Sequence, residues 1–552
     1  MKKSMVIASF VFLAVVATST AASAQSNWVN RFLSRYRPAD VPPPPAQSPS
    51  QQLSIMVRNG QLPLNVNEMI TLILGNNLDI GLNRLFPMSS QYLIDSSLRP
   101  FEPSMRFTAA VNRSTTPSTN QFSSDRSMLL GHSVTVGVGQ TLQSGTSLAV
   151  DMSLVRSSSN NPFATFNPFW SGTLQYSLVQ HLLRDYGRQV NTRQLRVARN
   201  NKEISDIQFE QNVINLVVQG QKTYWDLVFS AEDIRVKQRS MDYAQKTLSD
   251  NQVQVNVGTM APIDLVQAES EVASRKEALV VATFTLEQSE DQVKKLITNQ
   301  ADPGMVLARL SPIQPVKRPA PGDVPAIEDA IRIALENRPE VRQLELELRN
   351  KDIEVEYTKN QLLPMLDFSA SYVQNGIGGR KTVREGFGTP PIAIIPGGLG
   401  NAFGQLFGYD YTGYQVGVSL QVPLSNRAAQ ADNARAVTEK RIVENRRGST
   451  AQQIALEVRN ALTQVEMNRA RIEAAQKARE LAECRLESEQ KKFDLGASTI
   501  RFVLEEQRNV AQAQTNEIAA LVNYTKALVD VDRATGMTLK KNNIQLSPQG
   551  GN

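Results

Sequence analysis

The sequence predicts a mainly helical protein with β strands, built on two long antiparallel helical hairpins and an internal tandem duplication. Three observations carry this. Arg188 to Val257 contains no proline and one glycine, Gly220. Arg427 to Leu495 repeats the pattern with only Gly448 inside. The segments that precede the first stretch return, without a gap, 261 residues later.

Within the first stretch, apolar residues recur at heptad-like intervals through Ile207, Ile214, Val217, Tyr224, Val228, Ile234, Met241, Ala244 and Leu248. That spacing marks a helix packed along others, not around a globular core. At ~1.5 Å per residue it would reach on the order of 100 Å. In the second stretch Val458, Val465, Ile472, Leu486 and Phe493 keep the phase, and Arg479 fills the position between. Each stretch ends at a glycine-led turn, Gly258 to Pro262 and Gly496 to Thr499, after which a shorter helix runs back, Ile263 to Ile297 and Ile500 to Thr535. The helices alone fit a soluble coiled-coil rod as well.

The duplication is read from matched positions. Asn76-Asn77-Leu78-Asp79 corresponds to Asn337-Arg338-Pro339-Glu340, Pro103 to Pro364, Phe107 to Phe368 and Ala109 to Ala370. The expected organisation is a first repeat over 61–300, a proline-rich linker over 301–325, a second repeat over 326–540 and a disordered tail over 541–552. In each repeat the order is helix, strands, long hairpin.

At the N-terminus, Lys2 and Lys3, an apolar run from Val6 to Ala17 and Ala22-Ser23-Ala24 follow the order of a secretory signal peptide over 1–24, cleaved before Gln25. An extended proline-rich linker, 25–60, follows it. The apolar run is short of the ~20 residues a spanning helix needs, so any membrane crossing falls to strands. The one cysteine, Cys484, lies mid-helix and excludes an internal disulfide framework. Acids and bases alternate along the helices, so the formal charge of +6 forms no basic face for nucleic acid. His132 and His181 lack metal-ligand spacing, and no catalytic motif is present; the chain reads as neither enzyme nor metalloprotein, with no cofactor.

The strands carry the functional reading. Phe107, Ala109 and Val111 alternate with polar neighbours, as do Val134, Val136 and Val138, then Leu148 to Leu154, Leu174 to Leu178, Phe368 to Tyr372 and Val416 to Val422. One apolar and one polar face fits a soluble sandwich, and it also fits a lipid-facing barrel with a wet lumen. Aromatics gather near the strand ends, with Phe163, Phe166, Phe169 and Trp170 in the first half and Tyr409, Tyr411 and Tyr414 in the second. Phe169, Trp170, Tyr176, Tyr411 and Tyr414 are the candidates for an interfacial belt. The glycine- and proline-rich segment Gly376 to Gly413 is expected to be an exposed, mobile connection.

On these marks the chain resembles the TolC-like outer-membrane efflux proteins. They are Asn337 to Glu340, Leu362 to Pro364 before a strand, the strand end Leu174 to Arg184 running into a long helix, and the paired tips Val257-Gly258-Thr259 and Leu495-Gly496-Ala497. The resemblance covers about Leu64 to Leu539. It implies a homotrimer in the outer membrane with a large periplasmic portion. Each chain gives four strands to a twelve-stranded transmembrane β-barrel and its helices to a periplasmic α-barrel. The implied function is a passive exit duct of an efflux or type I secretion system. Its partners would be a periplasmic adaptor (membrane fusion protein), an inner-membrane pump and outer-membrane lipid. The resemblance further implies a gate at the tips Gly258 and Gly496, with Asp264 in the first half. The second half departs from the family pattern: Phe502 stands where an aspartate is frequent, and the next acid is Glu505, with Arg501 and Glu506 alongside. The hairpin Ser133 to Val155 is a second departure, expected either to extend the outer mouth or to add strands. An exported coiled-coil structural or adhesive surface protein remains the alternative.

Overall fold

The computed structural model describes residues 33–38, 60–117, 126–161, 163–258, 260–298, 307–320, 322–386 and 389–546. The chain divides into two units, Met1–Pro49 and Ser50–Asn552. Residues 33–38 of the first form a short exposed turn, and the architecture below is that of the second. The signal peptide over 1–24, almost all of the 25–60 linker, Thr259 at the first tip and residues 547–552 lie outside the described residues.

A short parallel pair opens the fold, β1 (Gln61–Leu64) against β6 (Arg309–Pro312), followed by α1 (Val66–Asn76) and α2 (Leu78–Ser97). Asn77 separates these helices because its extended backbone ends α1 while its side chain accepts from the Asp79 and Ile80 amides that open α2. Strands β2 (Ser104–Pro117), β3 (Arg126–Thr141), β4 (Thr146–Ser159) and β5 (Phe166–His181) come next. The first hairpin is α3 (Arg188–Asn191), α4 (Arg193–Asn256) and α5 (Pro262–Ile297). The second half runs α6 (Ile327–Asn337), α7 (Pro339–Asn360), β7 (Met365–Val383), β8 (Ala393–Ile395), α8 (Leu399–Gly408) and β9 (Tyr411–Gln421). It closes with α9 (Arg427–Asp494), α10 (Ile500–Ala534) and α11 (Thr538–Lys541). The starts of α1 and α6, α2 and α7, and β2 and β7 are all spaced by the interval seen in the sequence.

Most of the heptad residues bury, while Ile234, Leu248, Leu486 and Phe493 are only partly buried. Ile207, Ile214, Val217, Tyr224, Val228, Met241 and Ala244 are buried on α4, and Val458, Val465 and Ile472 on α9. Gly220 has a packing reason, since a side chain there would meet Ile73 of α1 at 2.5 Å. Gly448 faces open space, and nothing in the structure explains it. One core joins Leu62, Leu64, Met69, Ile73, Tyr224 and Ile297; a second joins Ala334, Val458, Val465, Tyr524 and Val531.

The strands form one antiparallel sheet in the order β2-β3-β4-β5-β7, with β9 pairing β7 from Met365 to Asn375 and β8 pairing it from Lys381 to Val383. It therefore holds six long strands where four were expected, because β3 and β4 pair along their lengths with each other and with β2 and β5. The added hairpin contributes two strands to this sheet. Three further expectations change. The segment Gly376 to Gly413 is largely structured: β7 continues to Val383, and α8 lies across Gly376 and Gly378, where a side chain would meet the Ala402 and Gly398 carbonyl oxygens at 2.1 Å. In the linker over 301–325, β6 is a core element with Leu310 buried. The tail also begins packed, since Ile544 and Leu546 lie against the first core.

Candidate functional site

The tips of the two hairpins are built by the same local chemistry. Gly258 and Gly496 take φ of +82° and +73°, a left-handed turn in which glycine carries no side-chain penalty. Their amides bond back to the Val255 and Phe493 carbonyls at 3.0 and 2.9 Å. An extended residue, Ala261 or Thr499, then starts the return helix, with Pro262 pre-set for the first turn of α5.

What stands on these turns differs between the halves. Asp264 is half-buried in the first turn of α5 and makes no side-chain hydrogen bond or ion pair among the described residues. Val253, Val257, Ile263 and Val266 around it are all exposed. At the second tip Ile500, Val503 and Leu504 are buried against Leu486 and Phe493, which makes a small local core. Phe502 is half-exposed, with the Arg501 guanidinium 5.8 Å from its ring centre, and Glu505 is exposed. Glu489 bonds Ser498 and Lys492, and these partners, the Ser498 hydroxyl first, hold its carboxyl below the usual range.

Above the tips lies a joint with no signal in the sequence. Buried Arg275 of α5 donates to Glu271 at 3.0 Å, to the Ser240 hydroxyl and carbonyl of α4 at 2.7 and 3.1 Å, and to the Leu504 carbonyl of α10 at 3.2 Å. Arg508 of α10 reaches Glu271 at 3.2 Å. One guanidinium fork thus ties both hairpins together, a task its planar five-donor geometry suits. A lone arginine at a polar helix position carries no motif by which it could be picked out.

In the sheet, the register settles which face each side chain takes. Met105, Val138, Val150, Tyr176, Tyr372 and Tyr414 form one cross-strand row on the apolar face. The next row on the opposite face holds Arg106, Gly137, Asp151, Gln175 and Val373. Trp170, Tyr176 and Tyr414 share the apolar face, whereas Phe169 and Tyr411 fall on the polar one, because neighbours in a strand alternate sides. His181 pairs with Asp367 at 2.7 Å across β5 and β7. Among the described residues no three His, Cys, Asp or Glu side chains cluster as metal ligands would, and no helix is long and apolar enough to cross a membrane.

Residues 330–537 match the family described as outer membrane efflux protein. The chain carries an outer membrane efflux protein domain. This domain comprises most of the second half, from α6 through α10. No curated protein matches the sequence. Among solved structures, the Campylobacter jejuni CmeC outer membrane channel is 14% identical at a TM-score of 0.59, covering 92% of this chain and 95% of that one. The outer membrane protein VceC from Vibrio cholerae is 13% identical at 0.60, covering 85% and 96%. The open state of the Neisseria gonorrhoeae MtrE outer membrane channel is 16% identical at 0.57, covering 86% and 89%. The fold of these outer-membrane channels therefore extends over both halves of this chain.

Proposed function

We propose that three copies of this chain form a passive exit duct that carries cargo across the periplasm and outer membrane. An inner-membrane pump would supply the energy and a periplasmic adaptor the connection. The observation that carries this reading is the sheet: apolar on one face, polar on the other, and, among the described residues, unpaired at both edges. Met105, Phe107 and Val111 on β2 and Tyr414, Val416 and Val418 on β9 are more than half exposed, a band that water would not tolerate and lipid would. An edge left open in hydrocarbon would leave backbone groups unpaired, and pairing β2 of one copy with β9 of the next removes that cost.

The matched intervals in the two halves support a tandem duplication, and the two hairpins supply the wall of the helical tunnel. Trp170, Tyr176 and Tyr414 are the belt residues placed to meet lipid. Gly258, Asp264, Gly496, Arg501, Phe502 and Glu505 stand at the end where such a tunnel would narrow. The test is the mass of the purified protein in detergent together with its current in a planar bilayer. Three chains per particle and discrete channels are expected; a stable, non-conducting monomer would overturn the reading.

A further inference from the structure

We infer that the β3–β4 hairpin is part of the membrane wall, so that three copies enclose an eighteen-stranded pore. This rests on the three-copy reading above. A hairpin standing beyond the membrane would pair with its neighbours only at its base. Here β3 pairs with β2 from Ser104–Gly139 to Pro117–Arg126, and β4 pairs with β5 from Thr146–Gln180 to Ser157–Phe169, the full span on both sides.

The chemistry of the hairpin's two faces agrees. Val136, Val138, Val150 and Met152 continue the apolar rows of β2 and β5, while Ser133, Thr135, Ser147, Asp151 and Ser153 line the other side. That alternation is what a strand between lipid and water requires. On the polar face, Arg106 of β2 reaches over β3 to Asp151 of β4 at 2.9 Å. Gly137 leaves the room for it, since a side chain there would meet the Asp151 carboxylate at 2.1 Å. The ion pair joins β2 and β4 across β3 on this face.

The hairpin also spans the wall to its inner end. Its turn residue Ser144 accepts from the Gly187 amide at 3.2 Å, where β5 hands over to α3. Gly145, at φ +88°, lies so close that a side chain would meet the Asp185 carbonyl at 2.7 Å and the Asn191 amide nitrogen at 2.8 Å. Turn and strand–helix corner are therefore level.

Closure follows from parity. The six strands alternate in direction, so β2 and β9 run opposite ways and meet antiparallel between copies. Barrel width grows roughly linearly with strand number. Eighteen strands give a membrane pore about half again as wide as twelve, in the range that leaves an aqueous channel. The membrane segment would then not be what limits cargo size, and the limit passes to the helical tips.

The experiment is electron cryo-microscopy of the full chain in detergent or nanodiscs, with particle mass measured on the same sample. Three chains and eighteen wall strands are expected. Three chains with twelve wall strands and the hairpins outside overturn the inference and leave the trimer standing. Two chains with twelve strands overturn the trimer and, with it, the eighteen-stranded pore. A second measurement uses Met152→Cys and Ser153→Cys in a Cys484→Ser background, each carrying a fluorophore in vesicles. Quenching by a lipid-borne quencher at 152 and by a water-soluble one at 153 is expected; water-soluble quenching at both positions would remove the hairpin from the wall.

Discussion

Asp323, in the stretch joining the two halves, shows how one residue sets a pH window for a contact beside the second core. Its carboxylate pairs with Lys317 at 2.7 Å and accepts from the Tyr524 hydroxyl at 2.7 Å and the Ala320 amide at 2.9 Å. The Lys317 hydrogen bond leads in pulling its pKa from 3.8 to about 2. Burial, with Asp323 alongside, pushes Tyr524 from 10.0 to about 12. A depressed acid stabilises above its unfolded pKa and loses that contribution as pH falls through its folded one. A raised tyrosine stabilises below its unfolded pKa and loses it as pH rises through its folded one. The pair should therefore contribute fully between about pH 4 and pH 10. The advantage in melting temperature of wild type over Asp323→Asn is expected to hold at pH 5 to 6 and to vanish between pH 4 and 2. An advantage that stays constant across that window would contradict the assignment. At Arg275 a change to Met keeps the apolar stem but leaves Ser240 and the Leu504 carbonyl without their donor. Removing a buried charged donor costs on the order of 2 kcal/mol. Hydrogen exchange near 262–275 and 500–508 should rise while the sheet stays protected, and Arg275→Lys should recover only part because it lacks the fork.

At the scale of elements, the long helices were legible because a heptad stripe is a repeated, redundant signal, and most residues of the stripe are buried on α4 and α9. Val465 is buried between α9, α10 and α6, beside Tyr524 and Ala334. Val465→Asp would place an unpaired carboxylate there, at a cost of several kcal/mol. Loss of folded protein from the outer-membrane fraction is expected, with Val465→Ala much milder; a normally assembled aspartate variant would mean the residue faces no seam. What was not legible depends on partners far away in the chain. The pairing of β1 with β6 spans only four residues, Pro63 and Pro312 among them, too few to show a period in the sequence. Alternation in β3 and β4 could be read, but whether they joined the sheet depended on the register of β2 and β5. The glycines under α8 read as loop signals because glycine marks both a flexible turn and a close approach, and only the second applies here. Gly376→Val should accordingly dislodge α8, seen as new protease cleavage within 393–410, while pairing of β7 with β5 persists.

For the whole molecule, the sites of greatest consequence are those that a single chain leaves unsatisfied. Asp264 has no side-chain partner among the described residues, and Glu505 is exposed one tip away. Three copies around an axis would bring three Asp264 carboxylates, and three of Glu505, toward a common opening. Like charges that close repel unless cations, water or a cation such as Arg501 offset them. The resting pore should therefore favour cations and be blocked by multivalent ones. The tips add little to the two main cores, so replacing Asp264 and Glu505 together with alanine should leave the particle mass unchanged. In single-channel recordings that double variant is expected to show reduced cation selectivity and weaker block by trivalent ions. Unchanged selectivity and block would make both acids ordinary solvated helix residues. The constriction would then lie in the apolar side chains of the same turns, with Phe502 and Val257 the next to replace.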